Sequence, residues 1–215
     1  MTKEFKQYKT ISIVALILGI IGVTLGYAAF SSVLTIESSA EVHPDSSAFN
    51  VDFSSSSSAV QTNPITPTLN PASVTGFTAT NATIDNSGNP IISNLHATFT
   101  EPGQSATYSF YAYNAGEYIA YLNSINFSGT KTCTAKSGTT QSLVNTACNG
   151  ITLSVQVGSD AATTTSAASI SGHSLAKATG EPVVVVITYE TGSGVADGDF
   201  DVDLPDIILT YDSAD

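Results

Sequence analysis

The stretch PVVVVITYE, residues 182–190, carries apolar side chains at nearly every position. Successive side chains of a strand point to opposite faces of its sheet, so this run is apolar on both faces. A strand of that kind belongs in the middle of a sheet, with both faces covered. The turn-forming residues ETGSG at 190–194 end the run. The stretch therefore predicts the central strand of a β-rich protein.

Other runs alternate between apolar and polar residues, as expected of strands with one buried face. FNVDF at 49–53, LHATFT at 95–100 and ITLSVQV at 151–157 all show this period of two. Turn-forming stretches such as EPGQ at 101–104 separate them. Roughly nine to ten short strands with such spacing predict an all-β fold, a single antiparallel β-sandwich or jelly roll formed by residues 31–215.

Residues 54–71, SSSSSAVQTNPITPTLNP, form the one low-complexity stretch of the chain. Serine is a poor strand former, and proline has no N–H to donate to a ladder. The stretch predicts a long loop that crosses between sheets, or a flap over one of them, within the same domain.

The chain is acidic, and its charge is unevenly distributed. Its 215 residues carry a formal net charge of −12. Residues 31–215 hold three lysines against 17 acidic residues, a net charge of −14. Such a surface repels phosphate backbones, which predicts that the protein binds no nucleic acid.

Residues 11–30 form an uncharged apolar run behind a short head that contains Lys3, Lys6 and Lys9. About 20 residues suffice for a helix that crosses the lipid bilayer. The lysines favour the cytoplasmic side for the head. Residues 1–30 therefore predict a single-pass segment of the cell membrane, with the C-terminal domain outside.

The same residues also fit a secretory signal. Gly26 and Ala28 place small residues at both positions that signal peptidase recognises. Cleavage after Ala28 or Ala29 would release a secreted or cell-surface protein. The two alternatives stay open, and both place residues 31–215 outside the cell.

Two cysteines, Cys133 and Cys148, bracket 14 residues that are rich in turn formers. Outside the cell such a pair is expected to form a disulfide, which would stabilise the fold by ~3 kcal/mol in the chain-entropy model. The alternative is two free buried thiols. A metal site needs more ligands than this pair offers.

The stretch ADGDFDVDLPD, residues 196–206, has an aspartate at every second position. In a straight strand the four aspartates face water and three apolar residues face the core. The aspartates are Asp197, Asp199, Asp201 and Asp203, and the apolar residues are Phe200, Val202 and Leu204. Calcium needs six to eight close oxygen ligands, so it could bind only if the chain bends and a neighbouring loop adds ligands. We expect instead an exposed edge whose like charges repel a second copy.

No pattern in the chain indicates a catalytic centre. His43, His96 and His173 share no metal-ligand spacing, and each is interpreted as a solvated histidine. There is no G-x-S-x-G elbow, and no glycine-rich loop precedes a helix. We therefore predict no catalytic residue, no cofactor and no enzymatic activity.

A cluster of five tyrosines has two interpretations. The residues are Tyr108, Tyr111, Tyr113, Tyr118 and Tyr121. Aromatic side chains on an exposed sheet face can stack on sugars, which would make a carbohydrate platform. The alternative is that the rings belong to the core, with their hydroxyls at its rim.

Several of these stretches resemble known proteins. GYAAFSSVLTI at 26–36, FTEPGQSATYSFYAYNAGEYIAYLNSI at 99–125 and FDVDLPDIILTYDSAD at 200–215 resemble uncharacterised exported proteins of Gram-positive bacteria. The YAAF junction and the PGQ…YNAGEYIA stretch are similar to biofilm-matrix fibre proteins of the TasA and camelysin type.

The similarity to the fibre proteins implies a jelly roll, processing by a dedicated signal peptidase, and fibres in which each subunit lends an N-terminal strand to the next. Cleavage near Ala28 or Ala29 would free FSSVLTIES as that strand, with Phe30, Val33, Leu34 and Ile36 as its apolar residues. These residues alternate poorly, so the donor role stays open. The protease activity linked to camelysin-type proteins is not carried over, because the chain has no HExxH motif.

Together these features predict a non-enzymatic structural protein of the cell surface or extracellular matrix, with self-association through its N-terminal strand. The alternative is a membrane-tethered binding module for carbohydrate or calcium.

Overall fold

The computed structural model describes residues 48–163 and 173–213, and antiparallel strands make up about half of them. In chain order the strands are β1 (Val51–Ser54), β2 (Thr68–Asn70), β3 (Thr78–Ala79), β4 (Thr83–Asp85), β5 (Ile91–Ser93), β6 (His96–Phe99), β7 (Ser105–Asn114), β8 (Ala120–Ser128), β9 (Thr132–Ala135), β10 (Ile151–Val157), β11 (Asp160–Thr163), β12 (Ser174–Leu175), β13 (Gly180–Tyr189), β14 (Phe200–Asp203) and β15 (Asp206–Ser213). The one helix within those residues, α1 (Gln141–Cys148), lies between β9 and β10.

The strands pair into three antiparallel sheets. The six-stranded sheet has the order β1-β7-β13-β10-β11, and β2 also pairs with β7, beside β1. The five-stranded sheet has the order β12-β8-β15-β5-β4, and the four-stranded sheet has the order β3-β6-β14-β9. Strand β13 lies between β7 and β10, which confirms the central strand predicted from PVVVVITYE.

One hydrophobic core joins the three sheets, so the fold is all-β and sandwich-like. The alternation predicted from the sequence is seen directly in β10, where Leu153 and Val155 are buried and Thr152 is exposed. In β13 the core-facing residues include Val185 and Ile187, both fully buried. Burial of apolar side chains from facing sheets supplies most of the stabilisation of such a fold.

The two smaller sheets meet at a pair of short connections. Asn94 and Leu95 join β5 to β6, and Leu204 and Pro205 join β14 to β15. The Leu204 N–H donates to the Leu95 carbonyl oxygen at 3.0 Å. Because Pro205 has no N–H and Asn94 adopts a φ of 60°, neither ladder continues through the corner. The chain therefore turns from one sheet into the other at this point.

Three details differ from the sequence-based expectations. The described residues contain fifteen strands, because bends and turns divide the runs more finely than their composition indicates. The turn-rich segment between the cysteines contains helix α1. Residues 54–71 form a loop only in part, since Ser54 ends β1 and β2 pairs with β7.

The predicted straight row of aspartates is wrong. Strand β14 covers only Phe200–Asp203, so Asp197 and Asp199 lie before it. The expectation of an exposed edge is also wrong, because β14 pairs with β6 on one side and β9 on the other. The inward face was predicted correctly, since Phe200 and Val202 are fully buried. Side-chain alternation indicates which face is buried, but it does not indicate what pairs with either edge.

Residues 1–47 lie outside the described part of the chain. The predicted membrane segment, the candidate cleavage site at Ala28 or Ala29, and the candidate strand with Phe30, Val33, Leu34 and Ile36 all fall there, as does His43. Within residues 48–163 and 173–213, no helix is both long enough and apolar enough to span a membrane.

Candidate assembly groove

Along most of its length, strand β8 has a strand partner on only one side among the residues that the structure describes. On one side it pairs with β15 throughout, whereas on the other side β12 covers only Ala120 and Tyr121. The Leu122 N–H then donates to the His173 carbonyl oxygen at 3.0 Å. No described strand covers that side of residues 123–128, so alternate backbone N–H and C=O groups face outward there.

Strand β10 has a similar gap. Strand β11 pairs with residues 154–157, and within the described chain it leaves residues 151–153 uncovered on that side. A groove of about 290 Å³ is lined by residues from the end of β8, the β8–β9 turn, the start of β10 and the β14–β15 connection. We call it the β8–β10 groove, and its lining residues are Phe127, Gly129, Lys131, Ile151, Leu153, Leu204 and Pro205.

The walls of the β8–β10 groove are mostly apolar. Ile151 and Leu153 belong to the buried core, whereas Phe127 and Leu204 pack against it and remain partly exposed. Gly129 turns the chain out of β8 with a φ of 110°, a conformation that residues with a side chain rarely adopt. An apolar groove beside an unpaired strand edge can accept an added strand, because the edge supplies backbone hydrogen bonds and the groove receives side chains.

Lys131 is the charged residue of the groove lining. Its Nζ donates to the carbonyl oxygens of Cys148 and Ile151, both at 2.7 Å. Burial of the ammonium lowers the pKa of Lys131. These two hydrogen bonds connect the β8–β9 turn to the start of β10, and the third N–H of the ammonium is left for a further acceptor.

The predicted disulfide is confirmed: Cys133 and Cys148 are bonded, with their Cα atoms 6.0 Å apart. The bond ties β9 to the last residue of α1. Gln141 adds two hydrogen bonds, since its Oε1 accepts from the Ala135 N–H at 2.8 Å and its Nε2 donates to the Cys133 carbonyl oxygen at 3.0 Å. The disulfide and these bonds hold the strand that follows Lys131 against the segment that leads into β10.

Two of the four aspartates hold the loop before β14. Asp197 accepts hydrogen bonds from the Thr140 N–H at 2.8 Å and the Thr140 hydroxyl at 2.6 Å, directly before the first turn of α1. The Asp199 carbonyl oxygen accepts from the Lys136 N–H at 3.1 Å and the Thr139 hydroxyl at 2.9 Å. Both residues therefore connect this loop to the cysteine-bracketed segment.

Asp201 and Asp203 lie on the outer face of β14, close to His96 of the neighbouring strand β6. His96 Nδ1 lies 2.8 Å from Asp203 Oδ1, and its Nε2 lies 3.8 Å from Asp201 Oδ1. Asp201 also accepts from the Thr98 hydroxyl at 2.6 Å and lies 3.5 Å from Lys136 Nζ. Among the described residues, no three His, Cys, Asp or Glu side chains are arranged to hold a metal ion. The structure thus groups Asp201 and Asp203 and places Asp197 and Asp199 elsewhere.

Acidification should weaken the tie between Asp197 and α1. Hydrogen bonds from Thr140, first from its side chain and then from its backbone, lower the pKa of Asp197 below its ordinary value. A lowered pKa contributes stability above the ordinary pKa, and this contribution is lost as the pH falls through the folded-state pKa. Between about pH 5 and about pH 2, Asp197→Asn should therefore lose less stability than the unaltered chain, as measured by urea unfolding. Identical pH profiles of the unfolding free energy for Asp197→Asn and the unaltered chain would contradict this assignment. Thr140→Ala removes the hydroxyl hydrogen bond to Asp197, so it should reduce the difference in pH profile between a chain with Asp197 and one with Asn at that position.

The interpretation of two histidines as solvated is corrected by the structure. Besides the His96 contacts, His173 Nδ1 lies 2.7 Å from Glu181 Oε1, and the His173 side chain is only 12% exposed. The sequence does not predict either pair. His96 and Asp203 lie on strands that are far apart along the chain, and a turn separates His173 from Glu181.

The tyrosine cluster does not form one platform. Tyr108 is fully buried, and its hydroxyl donates to two backbone carbonyl oxygens at 3.0 and 3.3 Å. Burial raises the pKa of Tyr108 to about 12. Tyr111 and Tyr113 lie on the opposite face of β7, while Tyr118 and Tyr121 are about 40% exposed near the start of β8. The core interpretation is therefore correct for Tyr108. Tyr113 is also buried, on the opposite face of β7, so the five rings share no common surface.

Comparison of the chain with protein-family models, curated protein sequences and solved structures finds no match. The β8–β10 groove is thus described from its own geometry. Sequence reasoning missed its lining, although one signal was available: Lys131 is one of three lysines in residues 31–215 and lies two residues before Cys133.

Proposed function

We propose that the chain is a non-enzymatic structural protein of the cell surface or extracellular matrix. In this proposal one copy lends residues 30–37 to the β8–β10 groove of the next. Residues 11–30 export the chain and anchor it in the bilayer until signal peptidase cleaves near Ala28 or Ala29. The exported body is a single antiparallel sandwich that serves as the subunit of an assembly.

The observation that carries this proposal is an apolar groove beside the side of β8 that no strand of residues 48–163 and 173–213 covers. Residues 123–128 present six residues of edge, which corresponds to roughly 20 Å of strand. Residues 30–36 contain seven residues, enough to cover that length. An apolar groove beside a strand edge is a surface to which a further strand can add.

The composition of residues 30–36 fits the groove. The segment contains Phe30, Val33, Leu34 and Ile36 and no charged residue. The net charge of −14 on residues 31–215 disfavours an acidic partner at the surface, whereas an uncharged segment meets little repulsion. Residues 37–47 link the segment to the described fold, and an extended linker of that length spans up to roughly 36 Å.

Deleting residues 30–36 should abolish filaments and leave a folded body. The deletion removes the donor strand and none of the residues that form the described core. We expect filaments in the unaltered chain by negative-stain electron microscopy and none after the deletion. The far-ultraviolet circular dichroism spectrum should keep its strand content.

The matched control deletes residues 38–44, which are also seven residues. This control shortens the chain by the same number of residues, retains the donor, and should still form filaments. Mass spectrometry of the mature N-terminus shows whether both variants are processed alike. Filaments that persist without residues 30–36 would refute donation. Monomers with an uncleaved N-terminus in the unaltered chain would favour a membrane-tethered binding module.

A further inference from the structure

Asn149 and Gly150 form the one Asn-Gly pair of the sequence, and they directly follow helix α1. Such a pair can rearrange without an enzyme. The backbone nitrogen of the glycine attacks the side-chain carbonyl carbon of the asparagine, and the glycine has no side chain to hinder the approach. Asn149 is exposed to water, whereas Gly150 is buried. The carboxamide is thus accessible, and the fold controls the attacking nitrogen.

Packing makes glycine necessary at position 150. A Cβ atom there would lie 2.2 Å from both Cβ and Oγ of Ser193, far closer than carbon atoms pack in proteins. The Gly150 carbonyl oxygen also accepts from the Glu190 N–H at 2.8 Å, which holds the start of β10 beside the end of β13. The fold therefore requires the residue that makes Asn149 reactive.

The folded chain holds this pair in an unreactive geometry. Asn149 has a φ of −65° and a ψ of −25°, which are helical values, and the Gly150 N–H donates to the Ala147 carbonyl oxygen at 2.9 Å. Attack requires that hydrogen bond to break and the Gly150 nitrogen to rotate about the Cα–C bond of Asn149 until it eclipses Cβ. Both changes open the last turn of α1, so the rate follows the population in which that turn is open.

The last turn of α1 depends on the disulfide. The helix has eight residues with no acidic residue in its first turn and no basic residue in its last, and within the described chain its N-cap residue Thr140 makes no side-chain capping hydrogen bond. A helix of this kind has little stability of its own. Its last residue, Cys148, directly precedes Asn149 and is bonded to Cys133 of β9. The disulfide therefore holds the turn closed.

We propose that Asn149 is a site of spontaneous deamidation that the disulfide between Cys133 and Cys148 keeps inactive. In the reaction the Gly150 nitrogen forms a bond to Cγ of Asn149, the Cγ–Nδ2 bond breaks, and the proton of the Gly150 N–H leaves with Nδ2 as ammonia. Water then opens the resulting succinimide at either carbonyl carbon, which gives aspartate or isoaspartate. Water is the only co-reactant, and no electrons are transferred.

The modification would leave a lasting mark of disulfide loss. Both products add a negative charge at position 149, and isoaspartate also adds a carbon to the backbone between Cys148 and Ile151. The carbonyl oxygens of those two residues both accept from Lys131 Nζ at 2.7 Å, so the longer backbone weakens this link. Reoxidation of the cysteines does not restore the asparagine.

The test compares the full-length oxidised chain with the Cys133→Ser/Cys148→Ser variant at mildly alkaline pH. Peptide mass spectrometry measures the mass gain of deamidation at each asparagine. Asn149 should deamidate roughly 10-fold faster, or more, in the double serine variant than in the oxidised chain. Dithiothreitol should accelerate the reaction in the unaltered chain and not in the variant. Circular dichroism checks that both chains keep their strand content, and Asn149→Gln should remove the signal.

Asn123 is the internal control, because it is also exposed, precedes the small residue Ser124 and lies on β8, outside the cysteine-bracketed segment. Its rate should be the same in the oxidised chain and the double serine variant. Equal rates at Asn149 in those two chains overturn the inference. Acceleration of Asn123 and Asn149 by the same factor also overturns it, because the whole fold would then open. A urea-denatured chain that keeps Asn149 intact would show that the pair is unreactive, which overturns it too.

Discussion

Replacing Phe99 with alanine should lower the free energy of unfolding by about 3–5 kcal/mol. Phe99 is fully buried at the end of β6. Its ring centroid lies 5.5 Å from that of Phe77, 5.9 Å from that of Tyr189 and 6.2 Å from that of Phe200. Because Tyr189 belongs to the six-stranded sheet and Phe200 to the four-stranded sheet, the substitution opens a cavity where two sheets meet.

Urea unfolding followed by tyrosine fluorescence and circular dichroism measures this loss. Tyr121→Ala is the control, since it removes an aromatic ring that is 40% exposed on β8, and it should change stability by less than about 0.5 kcal/mol. A loss below about 1 kcal/mol for Phe99→Ala would mean that the site collapses around the smaller side chain or that the aromatic cluster is not packed as described.

Replacing both Cys133 and Cys148 with serine should cost about 3 kcal/mol of stability. The disulfide closes a loop with a sequence separation of 15, so its loss restores conformational freedom to the unfolded chain. The native state also loses the link between β9 and the end of α1. Since Lys131 donates to the Cys148 carbonyl oxygen, we expect the end of the β8–β10 groove to become less ordered and filaments to form less readily.

Three measurements check the role of the disulfide. Alkylation of the native exported protein without reductant should label neither cysteine. Addition of dithiothreitol should lower the stability of the unaltered chain toward that of the double serine variant. The same reductant should leave the double serine variant unchanged, which serves as the control. Equal unfolding free energies for the oxidised and reduced chains would contradict the stabilising role.

The secondary structure could largely be predicted from local patterns. The alternation in ITLSVQV places Leu153 and Val155 in the core, as the structure has them. The run PVVVVITYE is a central strand, as its two apolar faces indicate. These predictions succeed because the side-chain period of a strand is a property of its own backbone, and burial then selects apolar residues at every second position. The disulfide was predictable for a comparable reason, since a pair of cysteines in a chain that is expected to be exported has few other uses.

Pairing between strands was not predictable from the same patterns. The aspartates around β14 illustrate this, because their spacing indicates a strand with one wet face, whereas β14 is short and has a neighbour on each side. Every strand edge carries the same N–H and C=O groups whatever its side chains are. The identity of the neighbour therefore depends on long-range packing of the whole chain.

By itself, the sequence determined the all-β class, the buried faces of the main strands, the covalent link between Cys133 and Cys148, and the uncharged donor candidate that includes Leu34 and Ile36. Only the tertiary structure brings the residues of the β8–β10 groove together. The β8–β10 groove takes its lining from three separate segments, and Lys131 is held there through two backbone carbonyl oxygens. Such a site has no local signature, because its residues become neighbours only after the sheets have formed around a common core.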